Sequence, residues 1–420
     1  MPTASIQLEI DLKDRPEDPI GAELRKFSEF GKKTKVLGME LPNGLTLPVY
    51  VNEFWTSKQR AANSVHEVSY RACFKPQLPK FFIERLTEPG DVVYDPFMGR
   101  GTTPLEAGLL GRRPFGSDIN PLSKILVEPR FAPPTEAEVA GRLQTIDLAK
   151  GIEAPDDLLV FYHPSTLRQI ASLRSYLHGK EAKDGLDAID KWIRMVATNR
   201  LTGHSPGFFS VYTLPPNQAV SVDSQRKINK KRSQTPPERD IIPSILKKTR
   251  SLLSKLQDSD RKALTGSSRR AAFLTASCDS TPEIRSRSVS LVVTSPPFLD
   301  VVDYETDNWL RCWFNHIDAK KVGIWQLKKP AVWQAKMTEV FHELHRILKP
   351  GGHIAFEVGE VQQGKLRLEE LVAPAGIAAG LVPVLVLIND QVFTKTANCW
   401  GVDNLTKGTN TNRIVLFRKD

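Results

Sequence analysis

Short apolar runs and amphipathic stretches alternate in two separated parts of the 420-residue chain, the pattern expected of strands and helices in an α/β sheet. Val92-Val93-Tyr94 predicts a buried strand over 91–95. A helix from Pro79 through Leu86 precedes it and another over 102–111 follows. A second strand is expected from Pro114 to Ile119, and there the alternation stops. Residues 120–270 offer helix-like stretches, Leu167 to Leu177 and Leu186 to Thr198, but no obvious pair of buried strands. A segment rich in Pro, Ser, Asn and basic residues then leads to Ile241 and reads as a long loop, a kind of segment that is usually functional or disordered. Strands resume near Ala271, at Val289 to Thr294, His353 to Val358, Val384 to Asn389 and Arg413 to Phe417. Together they predict an α/β, seven-stranded, mostly parallel sheet with helices on both faces and a largely helical insertion. Residues 53–88 show helix-like pattern with short breaks, and the mixed polar start over 1–50 suggests no role.

Two segments carry the chemistry. The first, Asp95-Pro96-Phe97-Met98-Gly99-Arg100-Gly101-Thr102-Thr103, turns from a predicted strand into a helix over two glycines. Gly99 and Gly101 let backbone amides approach a ligand where a side chain would collide with it, which suits a nucleotide-like molecule. The second, Thr294-Ser295-Pro296-Pro297-Phe298, ends another apolar strand with a hydroxyl, a stiff diproline and an aromatic ring. Proline fixes φ and donates nothing, so the carbonyls there are acceptors in a set direction, as an NH2 group requires.

In this order the two segments resemble the FxGxG cofactor motif and the (D/N/S)PP(Y/F) catalytic motif of the S-adenosylmethionine-dependent amino-methyltransferases that act on DNA. The serine form, Ser295-Pro296-Pro297-Phe298, is the one that family most often pairs with N4 of cytosine. Phe74-Lys75-Pro76-Gln77-Leu78-Pro79 and Phe81-Phe82-Ile83 resemble the family's segment beside the methionine end of the cofactor. Leu344 to His353 resembles the helix, glycine turn and strand that follow the catalytic strand in class I methyltransferases. The likeness covers 66–125 and 271–360, more loosely the remainder to the C-terminus. It implies a class I methyltransferase, Rossmann-like fold and S-adenosylmethionine as cofactor, held by Phe74, Asp95, Pro96, Phe97, Gly99, Gly101, Thr102, Thr103, Asp118 and Asp279. Asp118 would accept the ribose hydroxyls; a helix cap before Pro121 is its other reading. Asp279 would meet the adenine amine or cap the following turn. Asp303 and Tyr304 would line the base pocket, although Tyr304 suits a core equally. The cofactor motif precedes the catalytic one, and the insertion between the second and third strands departs from the family's common serine-type layouts.

Net charge is +10. From His204 to Arg270 fourteen Lys or Arg face five Asp or Glu, and 14 − 5 = 9 places nearly all of the excess there. Such a segment attracts phosphates by counterion release, so Lys230, Lys231 and Arg232 are candidate DNA contacts; a solvated basic loop is the alternative. The four cysteines, Cys73, Cys278, Cys312 and Cys399, show no paired ligand spacing, which predicts free thiols and no metal site. No apolar run is long enough to span a bilayer, and the start lacks the basic and apolar regions of a secretory signal, so a cytoplasmic protein is expected.

The predicted organisation is an N-terminal segment over 1–52, a catalytic domain over 53–125 and 271–420, and an inserted candidate target-recognition region over 126–270. The predicted reaction is methyl transfer to the exocyclic N4 of cytosine in DNA, with Ser295, Pro296, Pro297 and Phe298 at the catalytic site. Adenine N6, structured RNA, and a catalytically inactive nucleic-acid-binding protein are the alternatives. A cognate restriction endonuclease is a candidate partner.

Overall fold

The computed structural model describes residues 6–7, 18–56, 62–70, 73–151, 153–214, 219–297, 304–361, 366–390 and 411–420, with the side chains of 6–7, 304–305 and 360–361 left undescribed. In chain order the strands are β1 (Ile6–Gln7), β2 (Lys35–Glu40), β3 (Thr46–Asn52), β4 (Val92–Asp95), β5 (Arg113–Asp118), β6 (Ala272–Thr275), β7 (Val289–Thr294), β8 (Leu348–Val358), β9 (Glu360–Val361), β10 (Leu366–Arg367), β11 (Val382–Asp390) and β12 (Thr411–Arg418). The helices are α1 (Pro19–Lys26), α2 (Gln77–Leu86), α3 (Thr102–Leu109), α4 (Pro121–Val127), α5 (Glu136–Gln144), α6 (Pro164–Lys183) and α7 (Ala188–Thr198), then α8 (Val222–Arg232), α9 (Ile241–Leu253), α10 (Asp258–Ser268), α11 (Tyr304–Phe314), α12 (Pro330–Ile347) and α13 (Glu369–Ala378).

Among the described residues ten strands form one sheet in the order β1-β2-β3-β11-β12-β8-β7-β4-β5-β6, and β9 pairs with β10 apart from it. Strands β6, β5, β4, β7 and β8 run parallel, while β12 opposes both β8 and β11. The seven strands from β11 to β6 give the class I methyltransferase fold. The expected count of seven is therefore corrected by three N-terminal strands. Val49, Tyr50 and Val51 of β3 pair in parallel with Val386, Leu387 and Ile388 of β11, so part of the unassigned polar start extends the sheet. Chain order reverses between β4 and β7, and such a switch point opens a ligand crevice beyond the strand ends.

Alternation along the strands makes two cores. On β4, Val92 and Tyr94 face the layer of α12 and α13, while Val93 faces that of α1 and α2. Helix α12 buries Trp333, Met337, Val340, Phe341 and Leu344, spacing that places all five on one stripe. A third cluster is assembled within the insertion, from Leu167, Ile170, Trp192, Ile193 and Ile241 among others, and receives Leu310 and Phe314 of α11. The expected long loop before Ile241 is corrected by α8, which Asn229 anchors by donating to the Val160 carbonyl at 2.7 Å. Among the described residues no helix is long and apolar enough to cross a membrane. Among the described residues Cys73, Cys278 and Cys312 form no disulfide; Cys399 lies outside the described residues.

Candidate active site

Asp95, only 2% exposed, ends β4. Its Oδ1 accepts the Thr294 hydroxyl at 2.6 Å and the Phe97 amide at 3.0 Å. One carboxyl thereby joins the two motif-bearing strands, which are neighbours in the sheet. Burial pushes Asp95 up to about 7 against the lowering effect of these hydrogen bonds, the expected direction for a desolvated carboxyl.

The turn after Asp95 is held from three sides. Gly99 adopts φ +46° and Gly101 φ +78°, the left-handed region that glycine enters without a Cβ penalty. The Gly99 amide donates to Asp118 Oδ2 at 2.9 Å, and the Asn120 amide donates to Asp118 Oδ1 at 2.9 Å. Arg100, which the motif left unassigned, donates to the carbonyls of Val68 at 3.2 Å and Phe74 at 3.4 Å. It thus fixes the segment bearing Tyr70 and Phe74 against the turn.

These elements enclose a cleft of about 840 Å3 including its open mouth. Pro96, Phe97, Met98, Gly99 and Thr102 line it from the turn and Asp118, Ile119 and Asn120 from the end of β5. Ser295 and Pro297 line it from the end of β7, together with Phe74. The predicted cofactor turn and the predicted catalytic motif therefore share one cleft.

Some expected positions do other work. Thr103 is fully buried and donates to the Val293 carbonyl at 3.0 Å, tying α3 to β7. Gly101 is outside the cleft lining, and a Cβ there would meet Val127 at 2.5 Å, so its smallness serves packing. Asp279 accepts the Ser277 hydroxyl at 2.5 Å and pairs with Lys336. Burial raises this carboxyl, but the bonds from Lys336 and Ser277 outweigh it and hold it below its ordinary value. Ser277 and Cys278 line the cleft in its place. The helix cap read as an alternative for Asp118 falls to Asn120, whose side chain accepts the Leu122 amide at 3.1 Å. Pro296 is buried outside the lining. Lys230, Lys231 and Arg232 are exposed at the end of α8 and are not cleft residues, with the Arg232 guanidinium 3.8 Å from the Tyr212 ring centre. Phe298, Asp303 and the side chain of Tyr304 lie outside the described residues.

The sequence left other cleft residues unmarked. Trp325 and Ile324 line it from the segment between α11 and α12. Trp325 meets Phe97 edge to face at 6.5 Å, and the Lys336 ammonium lies 4.5 Å from its ring centre. The only available signal was one tryptophan in a loop that otherwise mixes basic and aliphatic residues. Trp333 donates its indole N–H to the Pro297 carbonyl at 3.0 Å, which fixes the diproline from α12. Cys73 and Cys278 line the cleft, but burial pushes both thiols up, away from the nucleophilic thiolate. Glu357, 5% exposed on β8, accepts the Asn412 amide at 2.9 Å and a hydrogen bond from the Ser295 hydroxyl.

Residues 28–126, spanning the glycine turn and the end of β5, match the sequence profile of the DNA methylase family of N6 and N4 enzymes. That match spans about a quarter of the chain and includes the glycine turn and Asp118. The type II methyltransferase M.BsoBI of Geobacillus stearothermophilus is 25% identical over 296 residues, covering 62% of this chain and 54% of that protein. The type II methyltransferase M.MvaI of Kocuria varians is 30% identical over 128 residues, 30% of this chain and 25% of that one. M.MjaII of Methanocaldococcus jannaschii is 36% identical over 73 residues, 17% of this chain and 14% of the relative. The chain thus spans about half the length of the first of these relatives and less of the others. Among solved structures, the rRNA methyltransferase aviRa of Streptomyces viridochromogenes is 14% identical, covering 87% of this chain and 94% of that one with a TM-score of 0.35.

The cleft residues fit the parts of S-adenosylmethionine, the cofactor that the resemblance implies. Asp95, a buried acid beside the turn, would face the cationic methionine end. Asp118, at the end of β5, would accept the ribose hydroxyls, and Ile119, Phe97 and Trp325 would offer apolar surface to a flat ring.

Proposed function

We propose that this protein is an amino-methyltransferase that transfers a methyl group from S-adenosylmethionine to the exocyclic N4 amine of cytosine in DNA, at a specific site. One observation carries the reading: Ser295, the first residue of the Ser-Pro-Pro-Phe motif, lines the same cleft as Gly99 and Asp118.

The mechanism follows from what the substrate lacks. An exocyclic amine is a poor nucleophile because its lone pair is delocalised into the ring. The cofactor supplies a methyl already activated on a sulfonium, so the protein's task is to orient the amine. The Ser295 hydroxyl and the Pro296 carbonyl accept the two amine hydrogens, favour a pyramidal nitrogen and aim its lone pair along the line of displacement. Trp333 holds the Pro297 carbonyl, which keeps the diproline from shifting as the base arrives. Phe298 stacks on the base after its extrusion from the helix. The exposed Lys230, Lys231 and Arg232 contact phosphates as part of a target-recognition region over 126–270. The type II names of the relatives support a modification role, with a cognate restriction endonuclease as partner.

The test is to methylate duplex DNA, digest it to nucleosides and identify the product by mass spectrometry. N4-methylcytosine is expected. N6-methyladenine would overturn the base assignment and keep the mechanism, since both bases present a ring-conjugated amine. 5-Methylcytosine would overturn both, because that chemistry needs a cysteine nucleophile and the cleft thiols are pushed away from ionisation.

A further inference from the structure

On the α1–α2 face of the sheet, neighbouring apolar rows share one core: Leu291 and Val293 of β7, Ala355 of β8, Leu416 and Ile414 of β12, and Leu385 and Leu387 of β11. Stepping two residues toward the cleft, these rows end in Ser295, Glu357, Asn412 and Asn389. Asn389 is engaged in structure, since its Oδ1 accepts the amides of Phe54 at 2.7 Å and Trp55 at 3.2 Å. Glu357 is placed differently. The pairing of Thr294 with Phe356 puts it beside Ser295 in the parallel register, and Asn412 meets it from β12.

Among the described residues, the groups that meet this carboxyl are neutral ones, the Ser295 hydroxyl from β7 and the Asn412 amide from β12. Arg413, next along β12, pairs with Glu369 of α13, and alternation sends it to the opposite face of the sheet. Asp95 is two strands away on β4, roughly 10 Å at the usual strand spacing. Burying a carboxylate without a cationic partner is costly, and such groups concentrate at functional sites. Burial pushes Glu357 up to about 7, with the bonds from Ser295 and Asn412 acting against it.

The placement also decides what the serine can do. A hydroxyl has one hydrogen and two lone pairs. With its hydrogen given to Glu357, Ser295 offers its lone pairs to the substrate amine as an acceptor. Resting on the methyltransferase reading above, we propose that Glu357 is the positioning residue of Ser295 and the terminal proton acceptor of the reaction. Methylation leaves the base nitrogen with a formal positive charge. One N–H bond breaks, and its electron pair stays on nitrogen. The proton passes to Ser295 Oγ while the hydroxyl's own proton passes to the Glu357 carboxylate, which becomes a neutral acid and releases the proton to solvent before the next turnover.

The experiment measures single-turnover methylation against pH in wild-type protein, Glu357→Gln and Glu357→Asp, at saturating S-adenosylmethionine and DNA. In the wild type the rate should rise to a plateau with an apparent pKa near 7. Glu357→Gln should lose this limb and run on the order of a hundredfold slower, with cofactor affinity by calorimetry unchanged; Glu357→Asp should restore the limb. A readout independent of activity comes from infrared difference spectra of the ligand-free protein. A carboxyl band titrating near pH 7 should be absent in Glu357→Gln, which separates it from Asp95, and should titrate at higher pH in Ser295→Ala because a bond that stabilises the anion is gone. A Glu357→Gln enzyme with wild-type rate and pH profile overturns the proposal, as does a Glu357 band unmoved by Ser295→Ala. These results leave the function intact when the wild type makes its N-methylated nucleoside. A wild-type protein that makes none overturns the function and this proposal together.

Discussion

The cleft and the helical insertion handle charge in opposite ways. In the insertion, Asp190 is fully buried but pairs with both Arg142 and Lys180, and Asp187 meets the same two cations. Burial raises Asp187, yet its bonds to Arg142 outweigh that and hold it well below the usual carboxylate range. Asp95 in the cleft, and Glu357 behind the cleft residue Ser295, are also buried but among the described residues meet hydroxyls and amides, and both are pushed up to about 7. A carboxyl neutralised by a cation is engaged in holding structure. One left with neutral partners can still change its charge when a cationic ligand or a proton arrives, which chemistry near neutral pH requires.

The strongest way to break this contrast is to close the cleft. Gly99→Val puts a β-branched side chain at φ +46° on the lining of the turn, and it should abolish S-adenosylmethionine binding in a protein whose circular dichroism is still native. Retained affinity would remove the turn from the site. Next in size, Ser295→Ala should slow methyl transfer about a hundredfold, typical of one lost preorganised polar contact, with cofactor affinity nearly intact. A loss of affinity in place of rate would move Ser295 from the substrate to the cofactor.

The insertion is probed through its exposed charge. Replacing Lys230, Lys231 and Arg232 by alanine should weaken DNA binding and reduce its salt dependence by roughly one unit of slope per lost phosphate contact, leaving cofactor affinity alone. An unaltered salt slope would make that end of α8 a solvated surface, where basic residues also favour the helix C-terminus.

The smallest expected effect sharpens the other half of the comparison. The Asp95 carboxyl is largely protonated below about 7 in the free protein, and a cationic cofactor favours its ionised form. Binding should therefore release a proton, and affinity should fall as pH drops from 8 to 6, at most about tenfold per unit. Calorimetry in buffers of different ionisation enthalpy measures the proton directly. Affinity independent of pH in the wild type would show that Asp95 does not sense the cofactor's charge.

Some of this was local enough to read from the chain. Val92 to Asp95 and Val289 to Thr294 are strands because short apolar runs between turn residues can be buried on both faces, and they appear at those positions. Gly99 and Asp118 were legible because a glycine turn after a strand, and an acid at the next strand's end, are set by neighbours a few residues away. Thr103 and Asp279 show the limit. The sequence identifies a polar group near a site, but only packing shows that Thr103 is engaged with Val293 and Asp279 with Lys336.

The sequence alone thus determined the sheet's parallel core and the two motifs, because strand propensity, alternation and glycine geometry are local properties. Tertiary structure decided what joined them. Asn389 reaches the backbone of Phe54 and Trp55 across more than 330 positions, the N-terminal strands complete a ten-stranded sheet, and Trp325 comes to Phe97 from a distant loop. Glu357 is the clearest case. In the chain it is one acid in an apolar run, and it gains a role only because β8 pairs with β7 in a register that sets it beside Ser295, a non-local pairing that no short window of sequence contains.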